Sequence, residues 1–256
     1  MTALLGGPAH ITAPTVAAAI YAAAGLKVFP CDPATKRPLI TGWPDAVVDA
    51  AQISAWWTMW PTALIGFALK GGRVLVLDGD RHHEGVDGVA ELAALLGRHG
   101  IAPQAWVETA GGGAHVPIGL PPGREWGNRS SLGSRGVDVR GPGGGGSGGG
   151  YVVLPGSIRA DGRRWLVAGP AVQGLDEEAA IRAYAHFLAA GEGLPVAPDS
   201  LLDELGRVDP ARSAGGTVAP AGEVNVTGTP AGHDRPTWTA GGLATYGATE
   251  IGRAHV

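Results

Sequence analysis

The chain has 256 residues, a formal net charge of −4 and one cysteine, Cys31. The single cysteine excludes an intramolecular disulfide bond and zinc sites built from two or four cysteines. The negative charge argues against strong nonspecific binding of nucleic acid by the whole chain, and no apolar stretch approaches the roughly 20 residues that a membrane-spanning helix needs. We therefore expect a cytoplasmic protein with no membrane-spanning segment.

The N-terminal part of the chain predicts a helix, a short strand and a loop. Thr12 is suited to cap a helix over residues 12–24, because its hydroxyl can accept a hydrogen bond from the first turn. A strand is predicted over residues 26–30, and turn-forming residues indicate an extended loop over residues 32–44. Lys36 lies in this loop, where a lysine is more often a solvated charge than part of a site. Similar patterns predict further helices over residues 50–60, 86–100, 177–190 and, more weakly, 199–205.

Residues 73–80, RVLVLDGD, are the most informative stretch of the chain. Their aliphatic run predicts a buried strand, and the tight turn before it predicts a hairpin with a strand over residues 63–69. Side chains alternate between the two faces of a strand, so Asp78 and Asp80 should share a face. Two such carboxylates repel each other unless a cation such as Mg²⁺ lies between them. The alternative is an ordinary Asp–Gly turn after a strand, and residues further along the chain decide between the two.

Strands are also predicted on both sides of a glycine-rich segment. His115 begins a predicted strand after a glycine turn, where a histidine is usually just exposed, and Asp138 lies in a strand over residues 137–140. Residues 141–150, GPGGGGSGGG, have almost no side chains, and we expect a flexible, dispensable linker before a strand over residues 151–154. Between residues 124 and 164, seven arginines outnumber three acidic residues, which is either a patch for nucleic acid or a solvated face.

Composition sets the expected domain limits. We place one folded domain at residues 12–190 and expect residues 191–256 to be a disordered tail, because glycine is concentrated there and hydrophobic periodicity is lost. The last residues, EIGRAHV at 250–256, resemble the translation of a sequencing-adapter sequence, so we interpret the tail as truncated.

Several separated motifs together resemble the N-terminal bifunctional DNA primase/polymerase domain, a branch of the archaeo-eukaryotic primase superfamily found in replication proteins of plasmids, phages and integrated elements. The opening helix, strand and loop up to Gly42-Trp43, and the tryptophan-rich helix ISAWWTMW, are similar to the start of that domain. VLVLDGD, TAGGGAH and GVDVRG are similar to its first, second and third motifs, and GGGYVVLPGS is similar to the segment that follows. The resemblance covers residues 17–165 and rests on the joint order of the motifs.

The resemblance implies a role for each matching residue. Asp78, Asp80 and Asp138 are expected to hold Mg²⁺ or Mn²⁺, and His115 is expected to contact the phosphates of the incoming nucleotide. Nucleotide contacts are also expected at Lys36, Arg140 and Ser157. The predicted fold is α/β (α+β), primase-polymerase-like, with a small mixed sheet that carries the acidic site and is flanked by helices.

The implied activity is nucleotidyl transfer, by a DNA primase or DNA polymerase, from NTP or dNTP substrates to a 3′-OH on a DNA template. The family usually joins this domain to a helicase, and no GxxxxGK[ST] phosphate loop occurs in this chain. Ala110, Gly111 and Ala114 replace the usual residues of the second motif, and Pro155-Gly156 replaces a double proline, which puts nucleotide affinity in doubt. A catalytically silent nucleotide- or nucleic-acid-binding module and a nucleotide hydrolase remain the alternatives.

Overall fold

The structure is a computed structural model that describes residues 12–45, 49–81, 85–132, 136–143 and 149–206, together with residues 237–238 and 244–245. In these residues the helices are α1 (Pro14–Ala23), α2 (Ala50–Met59), α3 (Gly88–Arg98), α4 (Glu177–Ala190) and α5 (Asp199–Gly206). The strands are β1 (Val28–Cys31), β2 (Leu64–Ala68), β3 (Val74–Gly79), β4 (Trp106–Glu108), β5 (Ala114–Gly119), β6 (Arg129–Leu132), β7 (Val137–Arg140), β8 (Tyr151–Val153), β9 (Leu166–Ala168), β10 (Thr237–Trp238) and β11 (Ala244–Thr245).

Helix caps show where local sequence sets the element limits. Asp49 begins α2 by accepting a hydrogen bond from the Ala51 N–H, and Asp176 begins α4 in the same way through the Ala179 N–H. The predicted cap at Thr12 is wrong. The residue before the first turn of α1 is Ala13, which offers no side-chain cap, and Pro14 starts the helix because its φ is already helical.

Two antiparallel sheets carry the α+β fold, which confirms the predicted class. The larger has the strand order β6-β7-β3-β5-β4-β9 and the smaller has the order β1-β2-β8. The acidic residues lie on the larger sheet, whose described pairings are all antiparallel, so the expected small mixed sheet is corrected to a six-stranded antiparallel one. β10 and β11 pair with each other within the predicted tail.

The predicted hairpin of residues 63–69 with residues 73–78 does not form. β2 pairs with β1 and β8 in the smaller sheet, whereas β3 pairs with β5 and β7 in the larger sheet. The turn at Leu69–Gly72, closed by the Gly72 N–H on the Leu69 carbonyl at 3.0 Å, therefore carries the chain from one sheet to the other. A tight glycine turn fixes a reversal of direction but does not fix which strands pair.

The larger sheet separates two hydrophobic cores. Val74 and Val76 of β3 join a first core built with the smaller sheet, α1, α2 and α4. Leu75 and Leu77, on the opposite face of the same strand, join a second core with α3 and α5. Trp57 of α2 is 1% exposed in the first core, and Trp56 and Trp60 are partly buried against it. β3 is thus apolar on both faces until it reaches Asp78.

Both ends of the glycine-rich segment are packed, which corrects the prediction of a flexible linker at residues 141–143 and 149–150. Gly141, Gly149 and Gly150, called the glycine neck below, are buried. A Cβ at Gly141 would overlap the Trp126 carbonyl oxygen, and a Cβ at Gly149 would lie 2.7 Å from Cα of Lys70. The Gly150 N–H donates to the Gly141 carbonyl at 2.8 Å and closes the segment. Residues 144–148, its middle part, lie outside the described residues.

The folded body also continues past the predicted limit at residue 190. The Ala197 N–H donates to the Gly119 carbonyl at 2.8 Å, which brings the chain alongside the end of β5. α5 then buries Leu201, Leu202 and Leu205 in the second core, with at most 3% exposure each. Residues up to Gly206 are therefore part of the domain, while the remainder of the predicted disordered tail, apart from β10 and β11, lies outside the described residues. No helix in the described part of the chain is both long and apolar enough to span a membrane.

Candidate active site

Three of the predicted site residues form a row across three adjacent strands of the larger sheet. Asp78 on β3 lies directly opposite Asp138 on β7. It also lies directly opposite His115 on β5, on its other side. This arrangement of Asp138, Asp78 and His115 is called the site row below. The sequence predicted that these residues meet, and the strand register of the structure places them side by side.

Strand alternation decides which face of the sheet carries the site row. Val137 and Val139 of β7 are buried in the second core, with 1% and 0% exposure. Asp138 and Arg140 alternate with them and are partly exposed on the opposite face. The prediction that Asp138 and Arg140 share a face is therefore confirmed.

Asp78 is buried, at 8% exposure, and a side-chain nitrogen approaches each of its oxygens. His115 Nε2 lies 3.3 Å from Oδ1, and Arg140 Nη2 lies 3.8 Å from Oδ2. Burial raises the pKa of the Asp78 carboxyl, but the charge and hydrogen bond of His115 and the charges of Arg140 and Lys36 outweigh burial and hold the pKa below its ordinary value. Asp78 is therefore an anion at neutral pH.

His115 keeps one hydrogen-bonding atom unused. His115 is 8% exposed, and its Nδ1 is buried with no hydrogen-bond partner among the described residues. Buried polar atoms are nearly always paired in folded proteins. The sheet therefore holds a histidine beside Asp78 with one ring nitrogen unpaired among the described residues.

Arg140 connects the two carboxylates of the site row. Its Nη2 donates a hydrogen bond to Asp138 Oδ2 at 2.9 Å and lies 3.8 Å from Asp78 Oδ2. The guanidinium is about one third exposed, so it reaches the carboxylates from the solvent side. The sequence placed Arg140 near phosphate or template, whereas in this structure its direct partners are the two aspartates.

Asp80 follows the end of β3 and extends the site beyond the row. Its N–H donates to the Gly136 carbonyl at 2.7 Å, so pairing towards β7 continues one residue past the strand. The two-residue spacing then keeps Asp80 on the Asp78 side of the sheet. A Cβ built on Gly113 would lie 3.4 Å from Asp80 Oδ1, and a Cβ on Gly88 would overlap the Gly136 carbonyl oxygen. The two glycines thus leave room for the backbone and carboxylate of Asp80.

Lys36 faces the site row from a tight loop attached to the smaller sheet. It is the only non-glycine residue with positive φ in the described chain, at 62°. Its Nζ lies 5.9 Å from the centre of the Trp165 ring, and its charge contributes to the lowered pKa of Asp78. A strained backbone at a lysine that acts on a buried carboxylate is typical of a functional site.

The residue that holds this loop was missed by the sequence analysis. Asp32 Oδ1 accepts hydrogen bonds from the Ala34 N–H and the Thr35 N–H at 3.0 and 2.7 Å, and also from the Thr35 hydroxyl. The Lys36 N–H donates to the Asp32 carbonyl at 2.8 Å, which closes the turn. An aspartate three residues before a threonine is a recognisable turn signal, and it identifies Asp32 as the residue that positions Lys36.

Ser157, the last predicted nucleotide contact, has a structural partner. It is 0% exposed, and its hydroxyl accepts a hydrogen bond from the Ile65 N–H of β2 at 2.8 Å. The hydroxyl therefore satisfies an N–H of β2, the central strand of the smaller sheet. A direct contact with nucleotide stays a prediction that this geometry does not favour.

The residues present suit a hard divalent cation in chemistry, although they do not form a complete set of ligands. Among the described residues, no three His, Cys, Asp or Glu side chains converge as a metal site. Asp78 and Asp138 nevertheless supply carboxylate oxygens, the donors that Mg²⁺ and Mn²⁺ prefer. One positive atom, Arg140 Nη2, already lies within 4 Å of both. The two carboxylates thus share one positive partner, and Asp80 follows the end of β3.

Comparison with known proteins places this geometry in a family. A search among curated proteins finds no match to the chain. The family model of the bifunctional DNA primase/polymerase N-terminal domain matches residues 18–180, well over half of the chain. The match contains β3, β5 and β7 and therefore every member of the site row. The chain belongs to the family of bifunctional DNA primase/polymerase N-terminal domains.

Proposed function

We propose that the chain is a metal-dependent nucleotidyltransferase that extends or initiates a strand on a DNA template. The observation that carries the proposal is the site row, in which two carboxylates and a histidine with a free ring nitrogen lie side by side on one sheet face. Family membership supports a primase/polymerase type of activity. A replication protein of a plasmid, phage or integrated element, working with a helicase, is the setting proposed for it.

Asp78, Asp80 and Asp138 would hold Mg²⁺ or Mn²⁺, which neutralises the triphosphate and activates the attacking 3′ oxygen. The chain's own residues bind and orient the nucleotide around that centre. Lys36 and Arg140 bring positive charge to the phosphates, and His115 donates or accepts a hydrogen bond through its unused Nδ1. The buried side of the site row excludes water from Asp78, so its charge is poorly screened and strongly felt by a bound cation.

The test is a primer-extension and de novo priming assay with labelled NTPs and dNTPs. Asp78→Asn and Asp138→Asn should reduce incorporation to background while the protein stays folded. Asp161→Asn is the matched control, because the recorded ion pairs of Asp161 are with Arg159 and Arg163 and not with the site row, and it should leave incorporation unchanged. His115→Ala should weaken nucleotide binding roughly 10- to 100-fold, the equivalent of a hydrogen bond to a charged group.

The same assay separates the alternatives. Release of pyrophosphate or phosphate without a longer product would identify a nucleotide hydrolase. Nucleotide binding with no turnover would identify a silent binding module. Undiminished incorporation by Asp78→Asn would exclude the proposed centre.

A further inference from the structure

Arg140 occupies an unusual place in the site row, and this observation carries an inference about how the site is loaded. A single nitrogen, Nη2, lies 2.9 Å from Asp138 Oδ2 and 3.8 Å from Asp78 Oδ2. The two carboxylates come from different strands, so this one nitrogen is shared by two neighbouring strands. The other oxygen of Asp78 is taken by His115.

We infer that the Arg140 guanidinium and a divalent cation compete for the same two carboxylates, so the cation enters only as Arg140 leaves. This inference rests on the proposed function, because it assumes that Asp78 and Asp138 hold the metal. A divalent ion binds carboxylate oxygens at about 2.0–2.6 Å. It therefore needs the space between the carboxylates and repels a guanidinium that lies there.

The side chain is suited to leave. It is about one third exposed, whereas Asp78 and Asp138 are less exposed and fixed by their strands. An incoming cation would replace the positive charge beside the carboxylates, so moving the guanidinium into water would leave neither carboxylate without a positive partner. Once released, its planar group of N–H donors matches a phosphate. The competition thus explains how Arg140 can contact the aspartates in this structure and the nucleotide after a cation has bound.

A simpler explanation is that arginine and aspartate two residues apart on a strand pair by proximity. The chain contains a comparison for this explanation. Arg163 contacts Asp161 at 2.7 Å with the same spacing, although these two residues lie in a turn. Arg140 differs because it reaches a second carboxylate on the neighbouring strand. The matched control for Arg140 is therefore Arg163.

The experiment measures Mn²⁺ binding to the full chain without nucleotide, by the electron paramagnetic resonance signal of free Mn²⁺. Arg140→Gln should tighten Mn²⁺ binding about tenfold, or ~1.4 kcal/mol. Arg163→Gln should leave it unchanged. Lys36→Gln removes a charge that acts on Asp78 without an ion pair to it among the described residues, and should tighten binding less than about threefold.

Two results would overturn the inference. One is an Arg140→Gln affinity equal to that of the original chain, and the other is a gain no larger than that of Lys36→Gln. Failure of the proposed function looks different, because Asp138→Asn would then bind Mn²⁺ as well as the original chain does.

A measurement on the unsubstituted chain keeps the test valid if Arg140→Gln fails to fold. The side-chain Nε–Hε nuclear magnetic resonance signal of Arg140, assigned by its loss in Arg140→Lys, should move to the position of a free arginine as Mg²⁺ is added. The Arg163 signal should stay in place. An Arg140 signal unchanged by saturating Mg²⁺ would contradict the competition.

Discussion

The packing of α5 predicts that the domain cannot be cut at residue 190, although hydrophobic periodicity fades there. Leu201 and Leu205 are 0% exposed and Leu202 is 3% exposed in the second core. Burial of one leucine side chain is worth ~1.5–3 kcal/mol, so the helix contributes about 5–9 kcal/mol. Domains are stable by only about 5–15 kcal/mol. A chain of residues 1–190 should therefore lose most of its stability.

The assay is urea unfolding, followed by tryptophan fluorescence, of chains ending at residues 190 and 206 and of the full chain. The chain ending at 206 should match the full chain, and the chain ending at 190 should unfold at a much lower midpoint or fail to fold. Leu201→Ala should cost about 2–5 kcal/mol. Val196→Ala is its control, because Val196 is 62% exposed and its loss should be neutral. Equal midpoints for the chains ending at 190 and 206 would refute the reasoning.

Three further predictions concern the neck, the α5 contacts and Ser157. Removal of residues 144–148 should leave the thermal midpoint nearly unchanged, because loop closure costs only about 0.6 kcal/mol per doubling of length. Gly141→Ala should instead lower stability by about 1–3 kcal/mol, because the new Cβ would overlap the Trp126 carbonyl. Equal thermal midpoints for the two variants would contradict this prediction. The hydrogen bond from Arg98, followed by that from His99, holds the pKa of Glu204 below its ordinary 4.5. The stability that Glu204 adds is therefore present above pH 4.5 and is lost as the pH falls through the lower pKa of the folded state. Urea unfolding of Glu204→Gln should differ from that of the original chain at neutral pH and converge with it in acid. Ser157→Ala should lower stability by about 1–3 kcal/mol, because the Ile65 N–H would lose its hydrogen-bond acceptor. Equilibrium dialysis should give an unchanged nucleotide affinity. A weakened affinity in a fully stable variant would support a direct contact between Ser157 and the nucleotide.

Local patterns of the sequence predicted which residues share a face of the sheet, because side-chain direction follows strand periodicity. The aliphatic run before Asp78, and the alternation in GVDVR around Asp138, place both carboxylates on the same face of the sheet. A role for His115 was implied only by the resemblance of TAGGGAH to the second family motif, because a histidine at the start of a strand beside a glycine turn is usually just exposed. The alternation within β3 and β7 needs only neighbouring residues, and period-two alternation is a strong local signal.

Long-range contacts account for what the sequence did not predict. The turn at Leu69–Gly72 looks like a hairpin turn, and only the pairing of β2 with β1 and β8 shows that it links two sheets. α5 is weak by its own sequence and is held by the second core. The contact of Arg140 with Asp78 depends on two strands lying side by side, which spacing along one strand does not reveal.

The alternation of β7 has a consequence for folding accuracy. Its charged residues, Asp138 and Arg140, point away from the second core, and its valines point into it. A slip of β7 by one residue against β3 would turn every side chain over, driving both charges among leucines and exposing both valines. Burial of charges in an apolar core costs several kcal/mol even when they remain paired. The residues that form the candidate centre thus also favour the correct register of β7, because a shifted register raises the free energy of the folded state even without bound nucleotide.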